Sequence, residues 1–273
     1  GGAVFNEDSA DVDFRVESDT GTHALFVQGS DGFVGIGTSS PDALLHLEGL
    51  NATDNSNPTT LRFTDTDTAS ATNQIIGRLE FENADISSAG VGSYIQAVAE
   101  NTGGTHYLAF GTGSGGSATE RMRIDSSGNV TMPAQPAFSV HKNGTDQNDI
   151  GTGDVTVTWA AERFDVGSNF GAAGFTAPVT GKYQLQASIR FDNLDASHNY
   201  MMVVIKTSNE NYRFIIDPDF GQDAAYFTIS GSILADMDAS DTAIIFVTRD
   251  GGASISDIDG DAEYTHFSGY LAC

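Results

Sequence analysis

Apolar and polar residues alternate in short bursts along nearly the whole chain, and period-two alternation marks strands with one dry face. Val12, Phe14 and Val16 share such a face, and Leu25-Phe26-Val27 follows. Between 59 and 135 the strand candidates are Thr60–Thr64, Ile75–Phe81, Tyr94–Ala99, His106–Phe110 and a strand around Arg121. Beyond Pro136 the strands lengthen: Tyr183, Leu185, Ala187, Ile189 and Phe191 lie on one face of a single run. Tyr200–Lys206 and Ala243–Thr248 are continuously apolar, which predicts strands covered on both faces, with a neighbouring subunit on the outside. Pro41–Leu47 is helix-like but also reads as a turn entering a strand. The chain is predicted to be all-β.

One unit occurs twice. The turn Ser30-Asp31-Gly32 leads to Val34 and Ile36, and the turn Ser126-Ser127-Gly128 leads to Val130 and Met132. A lone hairpin of this size is marginal in water, but copies packed about a threefold axis can bury their apolar faces together. Pro133 and Pro136 bracket a stiff joint. The expected domains are an N-terminal β stem over 1–58, a small β module with the second hairpin over 59–135, and a head over 136–273.

Val34-Gly-Ile-Gly-Thr-Ser-Ser-Pro and Arg121-Met-Arg-Ile-Asp-Ser-Ser-Gly-Asn-Val resemble a signature of bacteriophage tail fibres. Phe175-Thr-Ala-Pro-Val-Thr-Gly-Lys-Tyr, with Ser230-Gly-Ser-Ile-Leu and the closing Phe267-Ser-Gly-Tyr-Leu, resembles the jelly-roll head of the complement C-one-q/tumour-necrosis-factor superfamily. The resemblance implies a ten-strand jelly-roll sandwich, a homotrimer, and first and last strands that are neighbours. It also implies an interwoven trimeric stem, because no Gly-X-Y period supplies a collagen one. The implied role is attachment of a virion fibre to a host surface glycan or other receptor, with further virion or filament proteins at the N-terminal end. A capsid-decorating protein and an extracellular bacterial filament or adhesin are the alternatives.

Charge sharpens this picture. The formal net charge is -25 and both halves are acidic, so phosphate backbones are repelled and nucleic acid is excluded as a partner. Lysine is confined to Lys142, Lys182 and Lys206, a composition suited to a saline medium that screens self-repulsion. No apolar run approaches the ~20 residues that span a bilayer, so no membrane insertion is expected. Opening on Gly1-Gly2 without Met reads as a processed or truncated chain, and Cys273 reads as a free thiol.

If the last strand of the head runs to its base, the connections 192–199, 217–223 and 250–263 share the far end, and they hold more than half of the head's carboxylates. Asp257, Asp259, Asp261 and Glu263 are spaced as a calcium loop or as a solvated turn. Phe220, beside Asp217 and Asp219, is either an aromatic platform for a sugar or a trimer contact, and His198 is a weaker receptor candidate. Gly111–Ser117 lacks the ending of a phosphate-binding loop. No nucleophile elbow or paired-His motif occurs, which argues against an enzyme. Trp159 reads as core. Asn51, Asn129 and Asn143 match the glycan-acceptor pattern.

Overall fold

The computed structural model describes residues 11–50, 58–252 and 256–273; Asn51 and residues 253–255 of the third acidic connection lie outside them. Its elements are all strands and turns, and no helix is long and apolar enough to cross a membrane. The chain forms two compact units, Gly1–Thr68 and Ala69–Cys273.

In the first unit β1 (Phe14–Val16), β2 (Leu25–Val27) and β3 (Val34–Ile36) pair antiparallel, and β4 (Leu45–Leu47) joins β3 in parallel. The helix-like stretch is therefore a turn into a strand. Phe26 is the one buried large apolar side chain among the unit's described residues, while Val16, Ile36, Leu44 and Leu45 are exposed. Thr60–Thr64 is not a strand. Its threonines suit a pleated surface, but no neighbouring strand meets them.

The second unit opens with an antiparallel meander: β5 (Ile75–Asn83), β6 (Gly90–Ala99), β7 (His106–Thr112), β8 (Thr119–Ile124) and β9 (Val130–Thr131). The two hairpin turns share a glycine of positive φ but close differently, Gln28 N bonding Phe33 O in the first and Asp125 N bonding Asn129 O in the second. Gly32 and Gly128 have φ of 75° and 85°, a conformation that side chains resist. Asp31 accepts from Phe33 N, and Asp125 accepts from Ser127 N and Asn129 N.

The head is a sandwich. Its strands in order are β10 (Ala137–His141), β11 (Gln147–Ile150), β12 (Gly153–Thr156), β13 (Ala161–Val166), β14 (Phe170–Gly171), β15 (Gly174–Thr176) and β16 (Gly181–Leu194). They continue with β17 (His198–Thr207), β18 (Asn211–Ile216), β19 (Ala224–Met237), β20 (Thr242–Gly251), β21 (Ser256–Ile258) and β22 (His266–Leu271). A seven-stranded sheet contains β13-β10-β22-β16-β19, with short β21 and β11 beyond β16; a six-stranded sheet contains β14-β15-β20-β17-β18, with β12 on β20. Setting aside β11, β12 and β21 leaves the ten strands of a jelly roll, five in each sheet. First and last strands are neighbours, with Ala137 opposite Tyr270 and His141 opposite His266.

The core forms where the alternation predicts it. Tyr183, Leu185, Ala187, Ile189 and Phe191 are fully buried and meet Met201, Val203, Ile205, Ile245 and Val247 of the other sheet. Phe138 stacks on Phe175 at 4.6 Å, an arrangement that adds to plain area burial. One expectation is corrected here. Val204 and Phe246, on the outside of the six-stranded sheet, are already buried within one chain, flanked in register by Arg213 and Thr156. Their burial is thus complete before any second subunit arrives.

Candidate functional site

The three acidic connections meet at one end of the head. Asp223 accepts from Ala196 N at 3.0 Å, Asn199 donates to Asp250 at 2.8 Å, and Ser256 Oγ donates to Asn193 O at 3.3 Å. His198 is buried beneath them, its Nδ1 3.1 Å from Gly251 O and its Nε2 3.2 Å from Ser256 Oγ. It fastens the loops and offers no surface to a receptor. Asp217 and Asp219 are exposed. Phe220 is 44% exposed, with its ring stacked on Phe227 at 5.3 Å, so one face is spent within the chain.

The calcium candidates diverge. Asp257 accepts from Asp149 N at 2.8 Å, and buried Asp259 pairs with Arg190 and accepts from Asp261 N. Asp261 and Glu263 are exposed. Among the described residues no group of three carboxylates, histidines or cysteines converges as a metal site would need. Arg190 supplies the positive charge instead. Its guanidinium lies between the rings of Tyr226 and Tyr264, at 4.7 and 4.0 Å from their centroids. Asp192 stands 3.5 Å from Arg190 Nε, an electrostatic contact and not a hydrogen bond. Burial, with Asp259 close by, raises the Asp192 pKa against the pull of Arg190. Arg190 was the residue to notice in the sequence: a rare cation pointing outward from a core strand in an acidic chain.

One face of the meander and one row of the head sheet lack charge. On the meander, register puts Leu79, Ile95, Phe110 and Met122 in one cross-strand row and Ala97, Leu108, Ile124 and Val130 in the next. Leu79, Phe81, Leu108 and Val130 are exposed. The opposite face is finished within the chain: Arg78 covers Tyr94 at 4.1 Å and Arg123 covers Tyr107 at 3.7 Å, with Glu120 bound to Arg123 through both oxygens. On the head, the outer face of the seven-stranded sheet carries a row of Ser139, Ser268, Gln186 and Ser232. Exposed Phe164, Tyr270 and Leu234 border it.

No family model and no curated protein matches the chain. Among solved structures it is similar to the globular domain of a zebrafish complement 1qA protein, at 16% identity and a TM-score of 0.36, covering 51% of this chain and 98% of that one. Murine APRIL is matched at 14% identity and 0.37, covering 50% and 98%. Eiger TNF from S. frugiperda is matched at 16% and 0.36, covering 51% and 94%.

Proposed function

We propose that the chain is a homotrimeric fibre protein of a bacterial virus whose jelly-roll head attaches to a host surface polysaccharide. The observation that carries this reading is the apolar face of the meander, with Leu79, Leu108 and Val130 exposed and Ile95, Phe110, Met122 and Ile124 partly so, in a chain of net charge -25. Copies of so acidic a chain repel one another, and they come together only where charge is absent. Burying a half-exposed side chain of this kind stabilises by on the order of 1 kcal/mol, whereas association costs roughly 4–15 kcal/mol. The meander face alone therefore about breaks even, and the uncharged row of the head sheet tips the balance. Three heads on one fibre multiply weak binding through effective concentration. The open carboxylates Asp217, Asp219, Asp261 and Glu263 are what the far end offers to calcium or to a cationic receptor group.

Sedimentation at micromolar protein tests the assembly. A species of three times the chain mass is expected, with Phe110→Asp or Ile95→Glu shifting it to monomer. A well-folded wild-type monomer at that concentration would sink the reading, and head-to-tail polymers in electron micrographs would replace the virion with a cellular filament.

A further inference from the structure

Away from the acidic end, the sandwich opens along the edge where β13 of one sheet and the β14–β15 hairpin of the other stand apart. A groove of about 980 Å³ fills the gap, within the range of small-molecule sites. One wall is the segment 156–162. Its backbone is pinned by Val157 N to Ile245 O at 2.9 Å, Ala160 N to His141 O at 3.0 Å and Thr158 N to Gln147 Oε1 at 3.0 Å. From behind, buried Lys142 donates to Thr158 O at 3.2 Å. The other wall is the hairpin, small-sided at Gly171, Ala172 and Ala173. Trp159 and Phe170, both only partly buried, form the aromatic floor, with the indole 6.1 Å from Phe267 and Phe170 5.1 Å from Phe138.

The polar groups of the lining are the Thr156 hydroxyl, backbone, and Glu162, whose carboxylate has no ion pair or hydrogen bond among the described residues; the Thr158 hydroxyl is spent on Gln147 Oε1 at 3.2 Å and Lys142 Nζ at 3.4 Å. No Lys or Arg lines the groove. In a chain of charge -25 this turns away sialylated, phosphorylated or uronic ligands. An aromatic floor accepts the C–H face of a sugar ring, a hydroxyl and a free carboxylate accept its O–H and N–H groups, and glycine and alanine leave room for the ring's thickness.

We infer that this groove is a binding site for neutral or amino-sugar oligosaccharides, with Trp159 as the stacking platform and Glu162 as the acceptor. The inference rests on the polysaccharide reading above and moves its sugar from the acidic loops to the side of the head. The wall is held before any ligand arrives, so little ordering cost is added on binding.

The full-length chain has a single tryptophan, so its emission reports on the groove alone. The probe is a set of neutral, amino-sugar and acidic oligosaccharides on an array, followed by fluorescence and calorimetric titration with the best binder. Binding to a neutral or amino-sugar probe with a saturating change in Trp159 emission is expected. Ala173→Arg, at an exposed wall position that leaves the core intact, should weaken it by about tenfold or more, and Glu162→Gln should weaken amino sugars more than neutral ones. Binding that leaves Trp159 emission and the Ala173→Arg affinity unchanged, but is lost in Phe220→Ala, overturns the groove while the attachment reading stands. Preference for acidic glycans overturns the charge argument. No binding to any glycan by an intact trimer overturns both.

Discussion

At the scale of single residues, the acidic end is organised by Arg190. Removing one partner of a buried pair leaves a charge without compensation, at a cost of about 3–5 kcal/mol. Arg190→Gln should therefore lower the unfolding midpoint, and it should also expose Asp259 and Asp192 to a substitute cation. Thermal scans with calcium and with chelator are expected to show a larger calcium shift for the variant than for wild type; equal shifts would show that Arg190 does not stand where a cation would bind. His266 provides a second test. It faces His141 across one strand pair and Ser188 across the other, and burial, then Arg163, pushes its pKa below the usual value. The folded state thus binds this proton less readily than the unfolded chain. Its contribution to stability is intact above the unfolded pKa of about 6.5, falls as pH drops below that, and levels off beneath the folded pKa. The unfolding midpoint should fall between about pH 7 and pH 5, less steeply in His266→Gln. Trp159, by contrast, reads as core from the sequence but is only partly buried, packed against the edge of that core. Its partly buried position depends on the pairing of segment 156–160 with β20 and β10, which are distant in the chain.

At the scale of elements, alternation was legible wherever one face met the core. The five inward residues of β16 are all buried, and the two apolar runs are the central strands β17 and β20. Thr60–Thr64 failed because propensity cannot supply a partner strand. The outward face of the head sheet was hidden for another reason: serine and glutamine read as solvated, and only the register reveals an uncharged row. The meander illustrates how tightly its finished face is made. A methyl group added at Gly111 would meet the ring of Tyr94, which is held beneath Arg78. Gly111→Ala should cost about 1–3 kcal/mol in chemical denaturation, as overpacking does. A neutral outcome would mean the Arg78–Tyr94 stack is loose.

At the scale of the whole molecule, charge and assembly oppose each other. The screening length is about 30 Å at 0.01 M salt and about 10 Å at 0.1 M, so chains of charge -25 should separate at low salt and associate as salt rises. Mass photometry across that range measures this directly. Dissociation on adding salt would mean that ion pairs, and not uncharged faces, hold the subunits.

The position of β22 has a consequence for how the protein is made. It lies between β10 and β16, so the plank that completes the middle of the seven-stranded floor is delivered after all the others in the head. Until residues 266–271 leave the ribosome, both flanking strands keep bare, sticky rims, a hazard for any nascent chain. A polypeptide stopped after Thr265 should clump and be cut quickly by protease, and a synthetic peptide carrying His266–Leu271 should slot in and restore resistance.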